Sequence, residues 1–195
     1  MKDYGIRGDP NYRLLEDDTA FQGRVVSVAK QKVRLPNGVE TQHDVIRLPE
    51  AVAIVPILEE GGKRFVILVE QFRNSVQGYM HEVPAGVVDP GEEPEATAVR
   101  ELREETGFEA GRMTHLASLL MIPGTSKHRL HYFLAQDLRV GEQDLEDTEC
   151  LRVRKVPFDP LVQRLICDEP GSTPIVDAKT HLSLLHVHAV LERSS

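Results

Sequence analysis

One segment, Pro94–Thr106, constrains the fold of this chain more than any other. A proline is tolerated in the first turn of a helix and a glycine often follows the last turn, so Pro94 and Gly107 bound a predicted helix. At about 100° per residue, its side chains fall on two neighbouring arcs, one mainly apolar and one rich in carboxylates. The first arc contains Ala98, Val99, Leu102 and Thr106, and the second contains Thr97, Glu101, Glu104 and Glu105. We therefore expect a helix with one buried face and an adjacent acidic face.

Three glutamates on the acidic face repel one another, because residues three and four positions apart are neighbours on a helix. They are Glu101, Glu104 and Glu105. Arg100 and Arg103 lie among them, so a salt-bridged surface helix would explain the group without any function. A site for a hard divalent cation such as Mg²⁺ or Mn²⁺ would also explain it, because these ions prefer oxygen ligands. Taken alone, the three glutamates favour the first interpretation.

The net charge of the chain is −8 at pH 7, from 23 Lys and Arg against 31 Asp and Glu. This charge argues against a basic groove for a nucleic acid polymer and against binding to an anionic membrane surface. Most of the excess lies in residues 59–109, which hold twelve acidic and five basic residues, a net charge of −7. Such local acidity is typical of a solvated face or of a carboxylate metal site.

Length, cysteine content and apolar runs predict a cytoplasmic protein. The 195 residues suffice for one domain with an accessory segment. Cys150 and Cys167 are too few for a disulfide framework, as expected in a reducing compartment. The longest apolar run, residues 51–58, is too short to cross a bilayer, and the first residues lack the apolar core of a signal peptide. We expect no membrane association.

Apolar and alternating patterns predict several strands and two further helices. Residues 21–33 and 39–47 should form a hairpin around Pro36, Asn37 and Gly38. Further strands are predicted at residues 52–58, 65–69, 116–122 and 130–135, and helices at residues 160–166 and 178–192, the last capped by Asp177. Strands interleaved with helices indicate an α+β or α/β sandwich.

The residues around the acidic helix resemble the signature of the Nudix hydrolase family. That signature has a Gly, a Glu six positions later, and the motif Arg-Glu-apolar-x-Glu-Glu-x-Gly-apolar. All nine fixed positions are matched here, by Gly86, by Glu92 and by the run from Arg100 to Phe108. Nine specified positions over 23 residues make a chance match remote, in contrast to a lone glycine-rich loop.

The resemblance implies an α/β fold, an α/β/α sandwich with a mixed sheet, and hydrolysis of a diphosphate linkage with Mg²⁺ or Mn²⁺. It implies that Glu101, Glu104 and Glu105 bind the metal and that Arg100 orients them. It also places a backbone carbonyl ligand at Ala85.

Other residues resemble the ADP-ribose pyrophosphatase and nucleotide-sugar branch of the family. They are the run Gln71-Phe72-Arg73, the run from Glu82 to Gly86, and Pro123, fifteen positions after Phe108. The resemblance implies that Arg73 contacts substrate phosphate, because a guanidinium matches phosphate oxygens. Glu82, Gly86 and Pro123 are predicted to belong to the same substrate site. The branch also implies a homodimer joined by an N-terminal antiparallel β segment, here residues 1–48, followed by a hydrolase domain at residues 49–195.

The segment Gly124–His128 departs from the branch, which commonly carries an Asp-Glu pair there. His128 stands at the position of the glutamate, and a histidine can act as a general base near neutral pH. A carboxylate from the acidic run that follows is the alternative source of a base. Its members are Asp144, Glu146, Asp147 and Glu149. The sequence leaves the choice open.

The expected activity is hydrolysis of ADP-ribose, a small nucleoside diphosphate derivative, to AMP and ribose 5-phosphate. GDP-mannose, another nucleotide sugar or a dinucleoside polyphosphate is the alternative substrate, because residues outside the signature decide it. The alternative without catalysis is a Nudix-fold regulator that binds a nucleotide sugar. The intact signature glutamates argue against that alternative.

Overall fold

The computed structural model describes residues 5–145, 149–167 and 175–193. The chain divides into two compact units. The first unit contains the described residues up to Pro49 together with Leu120–Arg129, and the second contains Glu50–Leu119 and the described residues from Leu130 onward. Segment 120–129 thus belongs to the first unit, although it lies within the predicted hydrolase domain. The predicted boundary between residues 48 and 49 stays a prediction.

The first unit contains a three-stranded antiparallel sheet in the order β1–β2–β3. Its strands are β1 (Arg13–Gln22), β2 (Ser27–Arg34) and β3 (Glu40–Arg47). Strands β2 and β3 form the predicted hairpin, in which Gly38 has a left-handed φ of 84°. The predicted strand 21–33 is wrong at its start, because a turn closed by Gly23 N and Val26 O (2.8 Å) separates β1 from β2.

The second unit contains a seven-stranded sheet. Its strands are β4 (Ala51–Glu60), β5 (Lys63–Arg73), β6 (Gly78–Glu82), β7 (Ala85–Val87), β8 (Phe108–Leu120), β9 (Arg129–Val140) and β10 (Leu151–Pro157). The strand order is β10–β5–β4–β9–β8, with β6 paired to β5 and β7 paired to β4. The sheet is mixed, because β4 and β9 run parallel whereas β4 pairs with β5 and β7 antiparallel.

Three helices accompany this sheet. They are α1 (Pro94–Thr106), α2 (Phe158–Cys167) and α3 (Ala178–Glu192). Helix α1 lies against β4 and β7, whereas α2 contacts α3 and β5, and α3 also contacts β4. The bounds of α1 and α3 match the predicted ones, including the cap of α3, where the Asp177 side chain accepts a hydrogen bond from Thr180 N at 3.0 Å. Within the described residues, no helix is long and apolar enough to span a membrane.

The core between α1 and the sheet corrects the predicted faces of the helix. Leu102 and Ala98 pack with Val52 and Ile54 of β4 and with Phe133 and Ala135 of β9. Val99, which was predicted to be buried, is 50% exposed. The buried arc keeps Thr106, as predicted, but extends into the carboxylate arc and includes Thr97, Glu101 and Glu105. The reason is that β7 covers α1 on its carboxylate side.

Two substitutions on α1 test this orientation. Leu102→Ala should lower the free energy of unfolding by about 2 to 5 kcal/mol, because it leaves a cavity at a fully buried position. Val99→Ala, at the half-exposed position three residues before Leu102, should change it by less than about 1 kcal/mol. Chemical denaturation of both variants measures the difference, and comparable losses in the two would contradict the orientation.

Candidate active site

Arg100, in the middle of α1, is the centre of a carboxylate network. Its Nη1 donates to Glu101 Oε1 at 2.8 Å and to Glu104 Oε2 at 2.9 Å. Its Nε and Nη2 contact the Glu92 carboxylate at 3.3 and 3.2 Å. The hydrogen bonds from Arg100 and from the Thr97 hydroxyl hold the pKa of Glu92 below its usual value. One guanidinium therefore orients three signature glutamates at once. Of these contacts, the one with Glu104 was predicted from its i,i+4 spacing.

Glu101 and Glu105 form a buried acidic pair, one helical turn apart on α1. Their exposed fractions are only 8% and 5%. Burial, together with the neighbouring charges of Glu101 and Glu149, raises the pKa of Glu105 to about 8, against the opposing effect of the bond from Ala85 N. Burial also raises the pKa of Glu101, and the Arg100 charge offsets this only in part. The negative charges of these two carboxylates are therefore only partly compensated within the site, and additional positive charge would stabilise them.

Strand β7 holds these carboxylates from the side of the sheet. Ala85 N donates to Glu105 Oε2 at 3.0 Å. The next residue, Gly86, pairs with Val52 of β4 and lies directly against the Glu101 carboxylate. A β-carbon built on Gly86 would stand 2.0 Å from Glu101 Cδ, far inside van der Waals contact. Glycine is therefore required at this position by the space that Glu101 occupies.

The donor chemistry of this pair fits a hard divalent cation. Across the described residues, no three His, Cys, Asp or Glu side chains form a ready-made cluster around an ion. The two buried carboxylates nevertheless supply the oxygen ligands that Mg²⁺ and Mn²⁺ prefer, and a cation between them would offset the burial and the nearby negative charges that raise their pKa values. Glu104 is held by Arg100 and lies 3.5 Å from Arg103, so its predicted role as a ligand stays a prediction.

Arg73 and Glu82, both predicted as substrate-site residues, form an ion pair in which Glu82 is buried and Arg73 is partly exposed. Arg73 donates through Nε and Nη2 to the two oxygens of Glu82, at 2.6 and 2.9 Å. Lys179 donates to the same carboxylate and, at 2.8 Å, to Asp177. Burial alone would raise the pKa of Glu82, but Arg73 and Lys179 bring it below its usual value. The charge of Glu105 also acts on Arg73, which connects this cluster to the acidic pair.

The structure adds Lys179 to the residues that sequence reasoning found. Helix α3 was predicted correctly, and Asp177 was recognised as its cap. Lys179 in the first turn of that helix carried no signal, because its partner Glu82 lies 97 positions earlier in the chain. A lysine there is also typical of a solvated helix surface.

Pro123 and His128 belong to the first unit, in segment 120–129. Pro123 is exposed. The His128 ring is held by a hydrogen bond of 2.8 Å between Nδ1 and Pro49 O. Of the acidic run, Glu149 acts electrostatically on Glu101 and Glu105, and Asp144 lies 3.7 Å from Arg103. Glu146 and Asp147 lie outside the described residues. The roles predicted for Pro123 and His128 stay predictions.

Comparison with known proteins places this geometry in a family. The model of the NUDIX domain matches residues 47–178, two thirds of the chain. The chain belongs to the Nudix family. Its fold is the expected α/β Nudix fold with a mixed sheet and an N-terminal three-stranded antiparallel sheet, and its signature is the Gly86–Phe108 segment. A solved structure described as an ADP compounds hydrolase superimposes with a TM-score of 0.83 at 26% identity, covering 97% of this chain and 99% of that one.

Curated relatives of this Nudix chain match along nearly their whole length. An ADP-ribose pyrophosphatase of Bacillus subtilis is 32% identical over 90% of this chain and 91% of its own. A methanol dehydrogenase activator of Bacillus methanolicus is 31% identical over the same shares of the two chains. The chain is thus a Nudix pyrophosphohydrolase similar to the ADP-ribose and ADP-sugar pyrophosphatases.

The stability of the metal-free Nudix protein should fall as the pH rises from about 4.5 to about 8. The folded protein keeps the Glu105 proton up to about pH 8, whereas the unfolded chain releases it near pH 4.5, so the folded state binds more protons in this range. Glu105→Gln removes this penalty. At pH 9 with EDTA it should exceed the wild type in unfolding free energy by up to about 5 kcal/mol, at about 1.4 kcal/mol per pKa unit.

Urea denaturation at pH 5 and pH 9 measures this difference, which should shrink towards pH 5. Added Mg²⁺ should stabilise the wild type at pH 9 more than the variant. Glu109→Gln, at an exposed glutamate on β8, is the matched control and should show no pH-dependent difference. A Glu105→Gln variant that follows the wild type at both pH values would contradict the burial of an acidic pair.

Proposed function

We propose that this Nudix pyrophosphohydrolase cleaves ADP-ribose to AMP and ribose 5-phosphate. The observation that carries the proposal is the buried pair Glu101 and Glu105, tied to Ala85 of β7 and electrostatically coupled to Arg73. This arrangement offers a cation site and a phosphate-binding cation side by side. The relatives named ADP-ribose pyrophosphatase support the choice of substrate.

Glu101, Glu105 and the carbonyl of Ala85 are the groups that we expect to hold Mg²⁺ or Mn²⁺, with Glu104 as a further predicted ligand. When bound, the metal neutralises diphosphate charge and lowers the pKa of a coordinated water. Arg100 keeps the Glu101 and Glu104 carboxylates in place through its bonds of 2.8 and 2.9 Å. The glutamates therefore need little reorganisation when positive charge enters the site.

Arg73 is the residue that we assign to the substrate phosphate. Its Nε and Nη2 are engaged by Glu82, so Nη1 lies on the opposite edge of the guanidinium. That edge retains N–H donors that suit a phosphate oxygen. The buried Glu82 thereby orients Arg73. Pro123, the other predicted substrate-site residue, lies in segment 120–129 of the first unit, and its contribution stays a prediction.

For activation of the water we favour Glu149 over His128. The observation behind this choice is that the charge of Glu149 acts on both Glu101 and Glu105 and contributes to the rise of their pKa values. A carboxylate in that position can accept a proton from a water bound between these groups. His128 retains the ability to accept through Nε2, because Nδ1 donates to the Pro49 carbonyl if the ring is neutral.

A substrate panel and one substitution test the proposal together. ADP-ribose, GDP-mannose and diadenosine tetraphosphate are each assayed with Mg²⁺ and with Mn²⁺ for the mononucleotide released. We expect ADP-ribose to give the highest kcat/KM. Glu105→Gln keeps the shape of the side chain but removes its charge, and should lower kcat by about 100-fold or more. Glu109→Gln should retain wild-type turnover.

Equal hydrolysis of every member of the panel would refute the ADP-ribose assignment. Unchanged turnover in Glu105→Gln would refute the assignment of the site itself. Neither variant should alter the circular dichroism spectrum, which separates loss of catalysis from loss of folding.

A regulator that binds a nucleotide sugar is the second candidate function. It is favoured by the segment Gly124–His128, which lacks a carboxylate, and by the relative named methanol dehydrogenase activator. Binding of ADP-ribose with no product after prolonged incubation would support it. Product formation by the wild type, abolished in Glu105→Gln, would exclude it.

We also propose a homodimer formed through the N-terminal sheet, and a cytoplasmic location as predicted from the sequence. Every residue of β1 is exposed, although the strand carries Leu14, Leu15 and Phe21. Half-exposed large apolar side chains on one strand are typical of a surface that another chain covers.

Sedimentation velocity should show a dimer at micromolar concentration. The double variant Leu14→Glu/Phe21→Glu should sediment as a monomer, because each new charge would be buried in the contact. Val140→Glu, at an exposed apolar residue of the second unit, should leave the dimer intact. A wild type that sediments as a monomer would disprove this assembly.

A further inference from the structure

The N-terminus of α3 is joined to the strand segment that leads into the acidic pair. Val83 N donates to Thr180 Oγ1 at 2.9 Å, and both residues are buried. The Thr180 hydroxyl in turn donates to Asp177 Oδ2 at 2.6 Å, so its oxygen is free to accept from Val83. Ala85, two residues after Val83, donates from its backbone N to Glu105. Helix α3 therefore restrains the backbone next to the candidate site.

A second connection runs through charged side chains. The buried carboxylate of Glu82 receives Arg73 on its two oxygens and Lys179 on one of them. Lys179 also bonds to Asp177 at 2.8 Å, so the helix cap fixes the position of the ammonium group. Two carboxylates and two cations therefore balance within one cluster, which supplies the positive partners that the buried Glu82 carboxylate requires.

The consequence concerns the direction in which Arg73 points. A buried carboxylate must keep its positive partners close, because an unpaired charge is costly inside a protein. With Lys179 in place, Glu82 is satisfied from two sides and Arg73 keeps its outer edge for another anion. Without Lys179, Glu82 would depend on Arg73 alone and would compete with the substrate for its donors.

We propose that Lys179 is a positioning residue, which acts through Glu82 to hold the Arg73 guanidinium in the orientation that binds substrate phosphate. The inference rests on the proposed function, because it takes Arg73 as the phosphate ligand. Lys179 itself touches neither the substrate nor the reacting atoms in this assignment. Its effect should appear in substrate binding rather than in the chemical step.

A double-mutant cycle in KM tests the coupling. Lys179→Met should raise the KM for ADP-ribose about 10-fold and change kcat by less than about 2-fold, a size typical of an outer supporting residue. Arg73→Gln should raise KM by at least as much. In the double variant KM should stay close to that of Arg73→Gln alone, because Lys179 has no other route to the substrate.

Two further variants separate positioning from general stability. Lys179→Arg keeps the cation and should restore KM to within about 2-fold of the wild type. Lys155→Met removes a lysine that pairs with Glu60 on the exposed side of β10, and should leave KM unchanged. If Lys179→Met does not fold, Lys179→Gln replaces it, since it keeps a donor for Glu82 without the charge.

The outcomes are distinguishable. The role of Lys179 would be overturned if the KM increases of the two single variants multiplied in the double variant. It would also be overturned if Lys179→Met lowered kcat at unchanged KM, in step with a lower melting temperature. Failure of the wild type to cleave ADP-ribose would instead refute the proposed function. In that case the same cycle is measured on ADP-ribose binding by calorimetry with Mg²⁺. Lys179→Met should then weaken the binding of ADP-ribose, which appears as a higher Kd. An unchanged Kd would overturn the role of Lys179.

Discussion

The close approach of β7 to α1 is the contact on which the rest of the site depends. Gly86 has no β-carbon, so the Glu101 carboxylate occupies the space beside the strand, and Ala85 N reaches Glu105. This approach removes two glutamates from water, which is costly for their charged forms. Arg100 balances part of that charge, and a divalent cation can balance the remainder. The glycine opposite this glutamate-rich helix thus allows two of its carboxylates to be buried as a pair.

Local signals predicted the helices well. The bounds of α1 and α3 follow from Pro94, Gly107 and Asp177, because caps and helix breakers act through the backbone of adjacent residues. Strands β2, β3, β4, β5, β8 and β9 were predicted with shifted bounds, whereas β6, β7 and β10 were not predicted and β1 was missed almost entirely. Its run of Glu16, Asp17 and Asp18 has no apolar alternation, since neither of its faces is buried within the chain. Strand β1 is stabilised by backbone hydrogen bonds to β2, and such pairing leaves no pattern in the sequence of a single strand.

In the candidate site, too, contacts between residues close in sequence could be predicted, whereas contacts that depend on the assembled fold could not. The contact of Arg100 with Glu104 was predictable, because a helix brings residues four apart together. The burial of Glu101 and Glu105 was not, since periodicity separates arcs of a helix without showing which arc a strand will cover. Lys179 was out of reach for the same reason, as its contact with Glu82 exists only after the sheet and α3 have assembled.

The bond between Val83 and Thr180 also has a consequence for protein synthesis. The two residues are 97 positions apart, so the amide of Val83 has no threonine acceptor until that much more of the chain has left the ribosome. The signature helix and its arginine network are local and can form much earlier. A nascent chain that already contains every signature glutamate therefore still lacks the bond through which α3 restrains the backbone beside Ala85 and Glu105.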